Sequence, residues 1–279
     1  MPRKLPPTER LNPASWGLDA VPLRRALSIL HRGDLEAGRA VGRALPAIAA
    51  LVALAVRALA GGGRVVYIGA GTSGRLGALD AAEWPPTFGV ARSRVIALIA
   101  GGPRALRVAV EGAEDDAGAG RAAARSARLC DRDLAVAITA SGTTPFVRAA
   151  LGEARRLGAA TGLLTSNGAA RGAADVRVLL DTGPELVAGS TRMKAGAAAK
   201  MALSLFSTAT MLQLGKVRDG HMIDMSPTNA KLRRRAVRMV VEMASVTAPR
   251  AAAALASTGW SVRAAIEHVS SARRRRRAR

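Results

Sequence analysis

Residues 65–88 read VVYIGAGTSGRLGALDAAEWPPTF. A β-rich run, Val65, Val66, Tyr67 and Ile68, feeds a glycine turn, and a helical stretch opens behind it with Thr72 and Ser73 at its mouth. Such a turn directs free backbone N–H groups and the positive end of a helix dipole at one spot, which is chemistry for an anion. Gly69, Gly71 and Gly74 fit the G-x-G-x-x-G of a dinucleotide turn. That ligand also calls for an acidic residue about 20 residues further on, to hold the ribose. No Asp or Glu lies between Glu83 and Glu111. The Thr72 and Ser73 hydroxyls suit a compact phosphate monoester, so a phosphosugar is preferred to a dinucleotide.

Carboxylates supply the remaining chemistry. Glu83 stands just before Pro85-Pro86 and reads as the end of a helix, where a negative charge opposes the dipole and asks for another reason to be there. Glu111 and Glu114 flank the next predicted helix end; with Asp115 and Asp116, Glu114 also reads as part of a solvated acidic loop. A carboxyl becomes a general acid or base when burial or a neighbouring charge brings its pKa toward neutrality. Lys194, in STRMKAG, follows Ser190 and Thr191 as candidate caps. It reads equally as a first-turn surface lysine or as a cation for phosphate or carboxylate. His31, His221 and His268 lack metal-ligand spacing. No Gly-Lys-Ser/Thr and no G-x-S-x-G elbow is present. Neither a metal nor another cofactor is expected.

These groups must be positioned by alternating strands and helices. Strands are predicted at residues 64–68, 94–100, 134–139, 160–164 and 176–180. Helices are predicted at 12–30, 35–59, 72–82, 103–111, 118–128, 145–157 and 191–214, with two or three short ones over 232–269. Alternation of this kind argues for an α/β fold, a parallel-sheet three-layer sandwich with N-terminal helices and a short C-terminal helical appendage. Ligands of such sheets bind at the carboxyl ends of strands. Thr72-Ser73 after the first strand and Ser141, Thr143 and Thr144 after the third both fall there. The expected organisation is a helical lead-in over 1–60, the sheet domain over 61–231, the appendage over 232–269 and a disordered tail over 270–279.

The 279 residues carry a formal charge of +22, nearly all from arginine. Lysine occurs only at Lys4, Lys194, Lys200, Lys216 and Lys231. The arginines are spread along the chain without interleaved aromatics, so nucleic-acid binding is expected only as non-specific contact through the tail, Arg273 to Arg277 and Arg279. There is no apolar run of about 18 residues and no signal-like start, which predicts no membrane partner and a cytoplasmic protein. Cys130 stands alone and supports neither a disulfide framework nor a cysteine metal site.

At these residues the sequence resembles the N-acetylmuramic acid 6-phosphate etherase family, within the sugar-isomerase (SIS) fold. The matching blocks are TERLNPAS (8–15), GGGRVVYIGAGTSGRLGALDAAEWPPTFGV (61–90), IAGGPRALRVAVEGAEDD (99–116), ASGTTPFV (140–147), GPELVAGSTRMKAGAAAK (183–200) and LGKVRDGHMIDMSPTNAKLRRRA (214–236). The resemblance implies a lyase that splits the lactyl ether of a phosphorylated amino sugar by elimination and hydration, giving N-acetylglucosamine 6-phosphate and D-lactate without a cofactor. It implies catalytic roles for Glu83, as acid/base donor, and for Glu114, and phosphate contacts for Thr72, Ser73, Ser141 and Thr144. It also implies a homodimer, to which the apolar helix at 191–214 adds weight. Trp84 stands where the family usually carries Cys, and Thr143 where it usually carries Arg. Two other functions remain open at this point: a non-catalytic sugar-phosphate sensor of the same fold, and an arginine-driven nucleic-acid binder.

Overall fold

The computed structural model describes residues 5–170 and 172–277, with side chains as far as residue 271. Five parallel strands, β1 (Val65–Gly69), β2 (Val95–Ile99), β3 (Leu134–Ile138), β4 (Ala160–Thr165) and β5 (Val176–Leu179), form a sheet in the order β2-β1-β3-β4-β5. Val66 pairs with Ile96 on one side and Ala135 on the other. Successive strand residues face opposite layers. Val66, Ile68, Ala135, Ala137 and Leu163 share one core with helices α3 (Ala117–Ser126) and α4 (Pro145–Arg156). Tyr67 faces the other way, edge-on to Phe206 of α5 (Lys194–Gln213) with ring centroids 6.3 Å apart. On that side Leu51 of α1 (Leu23–Ala60) occupies the space over Gly162 of β4. The expected three-layer parallel sandwich is therefore present.

Several elements differ from their expected bounds. Two helices were expected before β1, but one unbroken helix of 38 residues forms. Gly33 lies inside it because Leu186 and Lys194 approach there; a Cβ at 33 would stand 2.8 Å from Leu186 Cδ1. α1 ends at its glycines as expected: Gly62 N–H donates to Leu59 O and Gly63 N–H to Ala58 O, a Schellman closure. By length and composition α1 could cross a bilayer, with a mean hydropathy of 1.8 over an 18-residue window, 44% of it buried. Its Leu51, Val52 and Ala55 are buried and it packs along β5, the arrangement of a core helix. Helix α2 (Gly71–Phe88) runs through both Pro85 and Pro86, and Gly89 N–H still donates to Pro85 O. Two prolines in the last turns remove donors but leave their own carbonyls to continue the ladder. Glu83 is thus inside a helix and not at its end. Residues 103–111 form no α-helix; a 3-10 turn over Gly102–Leu106 is followed by turns.

The sheet is tied at its lower edge by a buried ion pair. Asp133, 1% exposed, accepts from Arg64 Nε at 3.1 Å, Arg64 Nη2 at 2.6 Å and the Arg64 backbone N–H at 2.9 Å. Burial pushes the Asp133 pKa up, but the Arg64 hydrogen bonds and charge outweigh it and hold the carboxyl below its ordinary range. Arg64 also donates to the carbonyls of Ala127 and Arg128, and Arg94 to those of Leu59 and Gly62. Part of the arginine excess thus closes helix ends and loops.

The chain divides into two compact units. The sheet unit holds residues up to Ala82 and Ser93–Thr210; the other holds Glu83–Arg92 and residues from Met211 onward. In the second unit a short hairpin, β6 (Val217–Arg218) and β7 (His221–Met222), precedes α6 (Ala230–Ala244), α7 (Ala248–Ser257) and α8 (Val262–Arg277). Ile223, Met225, Val240, Leu255 and Ile266 are among its core. Asp224 gathers Arg263 at 2.7 Å and Lys216 at 2.9 Å. A tail was expected to be unstructured from residue 270, but the α8 backbone is helical to Arg277; residues 278–279 lie outside the described residues.

Replacing Asp133 by Ala should cost about 3–5 kcal/mol, because Arg64 is left without its counter-charge; the urea midpoint reads this directly. Since the folded carboxyl stays ionised to lower pH than an unfolded Asp (about 3.9), its stabilisation is complete above that pH and is lost as pH falls below it. The acid limb of the wild-type stability curve should accordingly be steeper than that of Asp133→Ala.

Candidate functional site

The strand order reverses at β1: β2 lies on one side of it and β3 on the other, and both β1 and β3 hand the chain to helices on leaving the sheet. That reversal opens a crevice at the strands' carboxyl ends, where α/β sheets bind ligands. A cavity of about 300 Å³ lies there. Its walls are Ala70 to Ser73 from the start of α2, Ile138 to Ser141 and Thr143 to Pro145 around the start of α4, Glu114 and Asp115 from the loop before α3, and Glu9, Gly189 and Thr191.

The β1–α2 turn depends on two glycines in contact. A Cβ on Gly69 would stand 2.6 Å from Gly74 Cα, and one on Gly74 would stand 2.9 Å from Gly69 O and 2.6 Å from Ile99 Cγ1. This closeness lets α2 start directly over the strand end. Gly74 N–H is the turn's first helical donor, to Ala70 O at 3.1 Å, so the N–H groups of residues 71 to 73 have no acceptor within the helix. The Thr72 and Ser73 hydroxyls make no hydrogen bond among the described residues and are half-buried.

The second loop is internally wired. Thr139 Oγ1 lies 3.0 Å from Thr144 Oγ1 and accepts from Gly142 N–H at 3.2 Å. Ser141 Oγ accepts from Thr143 N–H at 3.2 Å and Thr143 Oγ1 at 3.0 Å, which leaves the Ser141 O–H to donate outward. Asn167 Nδ2 holds Ser141 O at 2.8 Å. Pro145 opens α4 without an N–H, and the next donor, Phe146 N–H, reaches Glu114 O at 2.9 Å. Two residues on, Asp116 caps α3 by accepting from Ala119 N–H at 2.8 Å. These two bonds fix the backbone on either side of Asp115 and hold Glu114 at the rim.

The structure thus brings Thr72, Ser73, Glu114, Ser141 and Thr144 together around one cavity. Glu83 is not among its walls and stands exposed on α2. Lys194 is also absent from the walls and is buried, so it is not the surface lysine of the first reading; its charge acts on the Glu185 carboxylate. Its Nζ donates to Pro184 O at 3.0 Å, and its N–H donates to Glu185 Oε2 at 3.0 Å. Glu185 also takes Ala195 N–H at 2.9 Å, so this carboxylate caps α5 in place of Ser190 or Thr191. Burial raises the Glu185 pKa against the N–H groups and the Lys194 charge, and Asp34 adds to the rise. Glu9, Thr139 and Thr191 line the cavity without having been singled out for a ligand. Glu9 lies far from the glycine turns in sequence, and the only signal for it is its place in the TERLNPAS block.

Among the described residues lining the cavity there is no lysine or arginine. An anion would be held there by hydroxyls, backbone N–H groups and the α2 dipole, and the carboxylates of Glu9, Glu114 and Asp115 line the same cavity. That arrangement suits a neutral polyol body bearing one phosphate, with carboxylates available for proton transfer.

The chain is similar to several known proteins. Residues 47–155 match the family described as the glucokinase regulatory protein N-terminal SIS domain. The chain is 48% identical over 261 residues to the N-acetylmuramic acid 6-phosphate etherase of Serratia proteamaculans, covering 93% of this chain and 88% of that protein. It is 47% identical over 264 residues to the etherase of the same name from Halalkalibacterium halodurans, with the same coverage. In fold it is similar to a phosphoheptose isomerase from Francisella tularensis, with a TM-score of 0.51, 18% identity, and coverage of 69% of this chain and all of that one.

Gly74→Ala should damage the site and the fold together. With Gly69 O and Ile99 both too close to yield freely, the added methyl should cost about 1–3 kcal/mol and weaken inorganic phosphate binding. Urea denaturation and calorimetric titration with phosphate check the two effects separately.

Proposed function

The chain belongs to the N-acetylmuramic acid 6-phosphate etherase family, and on that premise we propose that it is a carbon–oxygen lyase cleaving the D-lactyl ether of N-acetylmuramic acid 6-phosphate. The observation that carries this reading is a carboxylate, Glu114, fixed at the rim of a hydroxyl-lined cavity at the sheet's switch point. The 6-phosphate docks at the α2 mouth, on Thr72, Ser73 and the free N–H groups, with Ser141 and Thr144 opposite. Ring opening exposes an aldehyde at C1, which acidifies the C2 proton. One carboxylate takes that proton while a second carboxyl gives one to the ether oxygen. The C2–H and C3–O bonds break, the C2–C3 double bond forms, and lactate leaves. Water then adds its hydroxyl to C3 and its hydrogen to C2, giving N-acetylglucosamine 6-phosphate. Glu114 and Glu83 fill the two carboxyl roles, and Lys194 supports the site from behind by ordering the start of α5.

Glu83 acts in this scheme from a second copy of the chain, in a homodimer. The support is a stripe of uncovered leucines along one side of α1: Leu23 is 74% exposed, Leu27 56%, Leu35 50% and Leu45 49%. Apolar stripes of that kind mark association surfaces. A charged phosphosugar does not cross a bilayer unaided, so the reaction belongs in the cytoplasm, in the recycling of cell-wall peptidoglycan sugars. The free thiol of Cys130 fits a reducing compartment. Contact with nucleic acid is confined to weak, non-specific attraction by the arginine tail.

Glu114→Gln should lower kcat for D-lactate release by about 10²–10⁴-fold, the usual worth of one general acid or base, with little change in the urea midpoint because Glu114 is exposed. Glu83→Gln should do the same, and light scattering should find two chains per particle. A monodisperse monomer with full activity would exclude the shared-site scheme. Binding of the phosphosugar without lactate release would favour a sensor of the same fold.

A further inference from the structure

The geometry points to Glu9 as a substrate-contacting residue, the acceptor that holds the sugar's O–H and N–H hydrogens and so positions the ring over Glu114; this rests on the etherase reading. Glu9 and Glu114 line the same cavity. The Glu9 carboxylate accepts no hydrogen bond and forms no ion pair among the described residues, and it is exposed. Its backbone, by contrast, is pinned. A 3-10 turn over Pro7–Glu9 closes with Glu9 N–H on Pro6 O at 3.0 Å, and buried Thr8 accepts through its carbonyl from Gly189 N–H at 3.0 Å. Downstream, Asn12 Nδ2 donates to Pro184 O at 2.9 Å. These bonds hold the Glu9 backbone beside the cavity that the residue lines.

A Cβ on Gly189 would stand 2.9 Å from Glu9 Oε2, so the carboxylate lies against this glycine of the cavity wall, which its φ of +76° requires in its own right. Thr72 and Ser73, which line the same cavity, present donors suited to phosphate. The substrate carries anionic oxygens at C6 and on its C3 lactyl group, and hydroxyl and acetamido hydrogens elsewhere, and it is those hydrogens that a carboxylate can accept. Hydroxyl donors and an unpaired carboxylate in one cavity thus offer partners for both the phosphate and the sugar hydrogens.

Glu9 moves no proton in this proposal, which separates it from Glu114. The test uses the full chain as wild type, Glu9→Ala and Glu9→Gln, each first shown to have the same urea midpoint. D-lactate release is measured across pH, and N-acetylglucosamine 6-phosphate is titrated calorimetrically as a probe that binds without turnover. Loss of one charged hydrogen bond predicts that Glu9→Ala raises KM and weakens the probe by roughly 10- to 100-fold. Its kcat should stay within a few-fold and both limbs of the pH profile should remain. Glu9→Gln, which keeps a carbonyl acceptor, should recover part of the loss. Unchanged KM and probe affinity in Glu9→Ala would overturn the assignment. So would a collapse of kcat with loss of one pH limb and unaltered probe affinity, since Glu9 would then be an acid or base. If the probe binds the wild type and is weakened by Glu9→Ala but no variant releases lactate, the etherase reading falls and the Glu9 contact stands. If the probe does not bind the wild type, both fall.

Discussion

Everything at this site follows from the order in which five parallel strands are laid down. Because β2 and β3 flank β1 on opposite sides, the chain leaves the sheet centre in two directions and opens a gap between the carboxyl ends of β1 and β3. Helix starts face that gap, and backbone N–H groups in a first turn have no partner of their own. A ligand with oxygen acceptors satisfies them. The glycine contact at 69 and 74 brings α2 close enough for the vacancy to lie at the strand end and not above it.

The second requirement is a carboxylate held still near an anion. Charge attraction cannot do this, since no cation lines the cavity among the described residues. The backbone does it instead. Phe146 N–H, one of the orphan donors of α4, is spent on Glu114 O, and Asp116 caps α3 two residues later. The same helix that forms part of the anion wall thereby anchors the loop carrying the carboxylate. A similar economy holds α5, whose first donors are taken by the buried Glu185 from the preceding loop.

Much of this was legible in the sequence. The strands at Val65, Leu134 and Ala160 and the hydroxyl loops behind the first and third are short-range patterns, and they fall where expected. What was misread depended on contacts distant in sequence. Gly33 looks like a break until Leu186 and Lys194 are seen against it. Pro85-Pro86 looks like a stop, but only the donors of a helix's last turns are lost there. Lys194 stays divided between a surface lysine and a cation because nothing in STRMKAG announces the Pro184 carbonyl and Glu185 carboxylate beside it. Glu9 carries no periodic signal, because a 3-10 turn pinned to a loop 180 residues away has none.

A site that grips an anion with dipoles exerts almost no pull beyond its own mouth, because dipole fields fade faster with distance than those of full charges. Yet the chain as a whole carries +22. For an anion bound as proposed, the two facts would divide the work: the diffuse positive field would govern how often a negatively charged metabolite arrives, while hydroxyls and amides would govern how long it stays. Ionic strength should then act on the rate of capture and leave the rate of escape nearly untouched, so a surplus of arginine that recognises nothing still shapes how quickly the protein responds.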